Sequence, residues 1–77
     1  MEKTLFEMLM KGAEADKAKA LLSLELLGNK AVGIGDHSTE DFYKNADEAL
    51  IMLVDADDRI ATLNKYFNSS TGDVING

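Results

Sequence analysis

The sequence predicts an all-α chain, an antiparallel hairpin of two long helices, and three observations carry that prediction. Among 77 residues there is no proline, and the six glycines fall into a few places: Gly12 alone, Gly28, Gly33 and Gly35 between the two halves, and Gly72 and Gly77 near the end. Proline and glycine are the strongest interrupters of regular structure, so this distribution reads as helix, connector, helix and tail. Each half is also rich in strong helix formers (Ala, Leu, Met, Glu and Lys). Finally, each half carries apolar residues at alternating four- and three-residue steps, the spacing of a helix that packs along another helix.

The first helix is expected over about residues 4–27. Its stripe reads Phe6, Met10, Ala13, Lys17, Ala20, Leu24 and Leu27. Lys17 interrupts it, but a lysine stem can cover apolar surface while its ammonium reaches water. Leu5, Met8, Ala15, Leu22 and Leu26 form a second, adjoining stripe. Gly12 costs a helix up to ~1 kcal/mol relative to alanine, so it is expected to be a close-packing point between helices, beside the small Ala13 and Ala15. Gly28 and Asn29 are expected to end the helix, because either residue tolerates the left-handed cap.

Residues 28–38 form the connector. The second helix is expected over about residues 39–67, with Ser38 as N-cap and Asp41 three residues on as its capping-box partner. From there Phe42, Ala46, Ala49, Leu53, Ala56, Ile60, Leu63 and Phe67 keep the 4-3 spacing without a break. The three alanines call for a close approach of the two helix axes. Lys44, Asp47, Asp55, Asp58, Thr62 and Lys65 lie on the other side as a solvated face. Beyond residue 67 the chain is polar, and residues 68–77 are expected to be a flexible tail.

Ala49-Leu50-Ile51-Met52-Leu53-Val54 is apolar around the whole circumference of the second helix. A helix in a hairpin has one stripe to bury, so something else is expected to cover the rest. Below roughly 70–80 residues a single core seldom supplies more than ~3–5 kcal/mol without a disulfide, a metal or a partner subunit. The chain has no cysteine and one histidine, which leaves the subunit. Two copies are therefore expected to form a homodimeric four-helix bundle, with a higher oligomer as the alternative. Leu50, Ile51, Met52 and Val54, together with Leu22 and Leu26, are the expected oligomer interface.

The net charge of −6 repels phosphate backbones and disfavours a nucleic-acid regulator. Such a regulator would need a patch from Lys11, Lys17, Lys19 and Lys30, which share no single helical spacing. The charge favours a basic protein partner instead. No run of 18 apolar residues is present, so no membrane span is expected. The first ten residues lack the apolar core and cleavage site of a secretory leader, and the cytoplasm is the expected location.

Three clusters are candidates for chemistry. Val32-Gly33-Ile34-Gly35 precedes a helix as phosphate-cradling loops do, but Asp36, Glu40 and Asp41 follow it where a lysine is needed. His37, Glu40 and Asp41 can be drawn as a divalent-metal site, yet helix capping explains the acidic residues. Asp55, Asp57 and Asp58 lack the glycine turn of a calcium loop, and Arg59 follows to neutralise part of their charge. The aromatics Phe6, Phe42, Tyr43, Tyr66 and Phe67 sit at helix ends, where they are expected to plug a core. The resulting expectation is a small non-enzymatic, self-associating structural or interaction module with an acidic surface, without catalytic residues, cofactor or metal.

Overall fold

The computed structural model describes residues 1–30 and 39–68, with side chains for 1–29 and 40–68. It contains two helices packed against each other, α1 over Lys3–Lys30 and α2 over Thr39–Phe67. Leu26 and Leu27 near the end of α1 lie beside Asn45 and Ala49 near the start of α2. Leu9 lies beside Thr62 and Leu63. The helices are therefore antiparallel.

Glu2 starts α1. The Thr4 and Leu5 amides donate to its two carboxylate oxygens at 3.0 and 2.9 Å, and the Phe6 amide donates to its carbonyl at 2.9 Å. Two of the amides that open a helix without an intrahelical partner are thereby satisfied, the Phe6 bond is the first rung of the helical ladder, and the negative charge sits at the positive end of the helix dipole. The amide bonds from Thr4 and then Leu5 hold the Glu2 carboxyl below its ordinary value. The first turn of α2 carries Glu40 and Asp41, again acidic where the dipole favours it. Ser38 lies outside the described residues.

Every member of the α1 stripe, from Phe6 to Leu27, is buried or half-buried, Lys17 included. On α2 the same holds from Phe42 to Leu63, and only the terminal Phe67 is more open, at 39% exposure. The seam is built around alanine. Ala13, Ala20 and Ala56 are completely buried, and Ala49 and Leu63 nearly so. Alanine at this depth leaves no side chain to hold the backbones apart, so α1 and α2 meet closely.

Two expectations for α1 change. The helix runs on through Gly28 to Lys30, and no described residue has a positive φ, so the left-handed cap expected at Gly28–Asn29 does not form. Glycine permits that conformation without enforcing it, and here the helical hydrogen-bond ladder continues through it. Gly28→Ala follows as a test. A Cβ there meets nothing within 4 Å, so alanine should stabilise the chain by about 0.4–1 kcal/mol, chiefly by restricting the unfolded state. A thermal melt that shifts downwards would restore the left-handed cap.

The second change concerns Gly12. It is exposed, and a Cβ added to it meets nothing within 4 Å, so it is not a close-packing point between α1 and α2. Gly12 lies with Leu5, Met8, Ala15, Leu22 and Leu26, all exposed. That stripe does not adjoin the seam; it runs along α1 roughly 150° around the helix from it.

Candidate interaction surface

The register of the hairpin is marked by a cluster of ion pairs at its middle. The Arg59 guanidinium on α2 donates through Nη2 to Asp16 Oδ2 on α1 at 2.8 Å and through Nε to Asp55 Oδ2 at 2.9 Å. A planar fork suits this double contact in a way that a lysine ammonium does not. Lys17 Nζ reaches Asp57 Oδ1 at 3.0 Å, and Lys19 Nζ lies 3.9 Å from Asp16 Oδ1. Hydrogen bonding to Asp16 raises the Arg59 guanidinium above its ordinary value, so it stays charged. All of these groups are at least a third exposed, and such pairs contribute modestly. They fix which residues face each other more than they hold the helices together.

These contacts account for the acidic cluster on α2. Asp55 and Asp57 diverge, one to Arg59 and the other across to Lys17. Lys17 is likewise turned to a carboxylate, which removes it from any basic patch. Among the described residues no group of three or more His, Asp or Glu side chains could hold a metal ion. His37 and the Val32–Gly35 loop lie outside the described residues. No described helix is long and apolar enough to cross a membrane.

The aromatic rings contact their sequence neighbours. Phe42 and Tyr43 meet edge to face at 5.8 Å, Tyr66 and Phe67 at 6.3 Å, and Lys65 Nζ lies 5.2 Å from the centre of the Tyr66 ring.

The six residues expected to form an oligomer interface are all exposed, Ile51 most at 67% and Leu22 at 55%. Their neighbours divide them. Leu26 and Met52 line one open groove between the helices, with Ser23, Leu27, Asn45 and Glu48. Leu50, Ile51 and Val54 line another depression on α2, bordered by Asp55 and Asp58. Leu22 belongs to neither and lies on the outer stripe of α1. Of the apolar girdle, Ala49 and Leu53 turn into the seam and the other four face outwards.

Both helices carry exposed apolar side chains. Leu5, Met8, Leu22 and Leu26 on the outer stripe of α1 are each 44–59% exposed. The spacing of that stripe from Leu5 to Leu26 is legible in the sequence; its position on the far side of the helix from α2 depends on where the partner helix lies. No protein-family model, curated protein or solved structure matches this chain.

Proposed function

We propose that the chain is a small non-enzymatic helical hairpin that works by self-association, two copies completing a four-helix assembly that serves as a structural or protein-interaction module. The observation that carries this reading is the composition of the core. Among the described residues the buried side chains are four alanines and Leu63. A close-packed interior of that size stabilises a single hairpin poorly, and helices draw most of their stability from tertiary packing. The exposed Leu22, Leu26, Leu50, Ile51, Met52 and Val54 are the apolar positions available for burial by a second copy.

The acidic surface belongs mainly to α2, which carries seven carboxylates against three basic side chains. In the assembly that face remains open to a basic protein partner, through contacts that salt screens beyond ~8–10 Å. Such a module belongs in the cytoplasm.

Light scattering on the eluting peak of a size-exclusion column, across a concentration series, tests the reading. A constant mass near twice 8.4 kDa is expected. A folded species that keeps the mass of one chain at every concentration overturns it.

A further inference from the structure

The geometry points to a specific contact within that assembly: the outer stripe of α1 pairs with the same stripe of a second copy, antiparallel about a two-fold axis at Ala15. This inference rests on the self-association reading and assigns its interface to the α1 residues Leu22 and Leu26 with their stripe, leaving Leu50, Ile51, Met52 and Val54 of α2 outside the contact.

The stripe consists of Leu5, Met8, Gly12, Ala15, Lys19, Leu22 and Leu26, at steps of 3-4-3-4-3-4. All seven are exposed in the hairpin. It runs for about 32 Å at 1.5 Å per residue and contains no carboxylate. A second seam of helix-packing spacing, nearly opposite the first, has no use within one hairpin.

The order of side-chain sizes along the stripe identifies the occupant. Large residues stand at both ends and small ones in the middle, so the stripe is complementary to itself when reversed. Reversal sets Leu5 level with Leu26 of the copy, Met8 with Leu22, Gly12 with Lys19 and Ala15 with Ala15, to within one residue. A two-fold contact requires this reciprocity, in which residue i meets j and j meets i. It also gives Gly12 a purpose. A glycine in mid-helix costs roughly 0.5–1 kcal/mol, and nothing in the hairpin occupies the space beside it. In the pair, the stem of a Lys19 that is 71% exposed crosses the copy's backbone where no Cβ stands in the way.

Charge selects the same arrangement. The segment Lys3–Lys30 carries five lysines and four carboxylates, whereas Thr39–Phe67 carries seven carboxylates and three basic residues. Pairing through α1 leaves the two acidic helices at opposite edges of the assembly. Pairing through α2 would bring them together and bury Asp55 or Asp58 beside Leu50, Ile51 and Val54, at a desolvation cost that three apolar residues do not offset. Parallel alignment of the α1 stripes fails differently. It would set Lys19 against Lys19 of the copy in the middle of the stripe, whereas the antiparallel order sets it against Gly12.

The chain has no cysteine, so single cysteines report the contact cleanly. Ala15→Cys, Leu5→Cys, Leu26→Cys and Ile51→Cys replace exposed residues and can each be oxidised at a concentration where the parent chain is a dimer. Cβ atoms must come within about 3.5–4.5 Å to bridge. Ala15→Cys is expected to convert almost completely to a disulfide dimer on a non-reducing gel. Leu5→Cys, about 30 Å from its own copy across the axis, is expected to link only when mixed with Leu26→Cys. Ile51→Cys should stay unlinked. Ready linkage of Ile51→Cys, of Leu5→Cys alone, or a failure of Ala15→Cys in a dimeric parent overturns this interface while self-association stands. A parent of single-chain mass overturns both.

Discussion

Leu63→Ala is expected to remove roughly half of the stability of the chain, about 2 kcal/mol. Leu63 is 8% exposed and is the largest side chain among the buried residues described. It closes the seam beside Leu9, Arg59 and Thr62. Removing a buried leucine side chain costs about 2–5 kcal/mol, the loss growing with the cavity left behind. The edge of a two-helix seam can partly collapse, so a loss near 2 kcal/mol is the appropriate expectation. That is still a large share of the ~3–5 kcal/mol available to a chain of this size. Urea titration followed by far-UV circular dichroism reads the change directly. Leu21→Ala is the control: Leu21 is 48% exposed and belongs to neither the seam nor the proposed interface, and its loss should change stability by less than ~0.5 kcal/mol. Equal midpoints for the two variants would mean that the alanine seam is not the core.

Ala56→Leu should also destabilise, although it adds apolar surface and keeps a strong helix former. Ala56 is completely buried, and the Lys17–Asp57 and Asp16–Arg59 contacts set it about level with Ala20, which is equally buried. Three added carbons have nowhere to go except between two backbones in close contact. Overpacking of this kind costs typically 1–3 kcal/mol, and here the whole antiparallel register has to shift to relieve it. Ala61→Leu on the exposed face of α2 makes the same chemical change without the steric one and should melt near the parent temperature. A stabilised Ala56→Leu would place α1 and α2 further apart than the burial of their alanines implies.

Both predictions concern positions whose burial could be read from the sequence. Phe6 to Leu27 on α1 and Phe42 to Leu63 on α2 are inward positions because a 3.5-residue period keeps one face of a helix turned to one neighbour. That relation is internal to each helix and needs no knowledge of the partner. The exposed face of Lys44, Asp47, Asp55, Asp58, Thr62 and Lys65 follows from the same arithmetic.

The start of α1 was less legible. Glu2 is outside the short-side-chain residues that usually cap helices, and its two bonds to the Thr4 and Leu5 amides depend on how a longer side chain folds back. Gly28 misled for a related reason. A glycine near a helix end is compatible with either hand of the backbone, and continuation of the hydrogen-bond ladder to Lys30 decided it.

The sequence by itself determined that two helices form and which stripe of each turns inwards, because propensity and periodicity are local properties of a chain segment. Only the tertiary structure decided the antiparallel register that brings Arg59 to Asp16 across 43 residues. It also showed that the outer stripe of α1 faces away from α2 and that Leu50, Ile51 and Val54 lie apart from Leu26 and Met52. Register and facing are relations between two helices, set by where both backbones lie at once, and no repeat within either segment contains them.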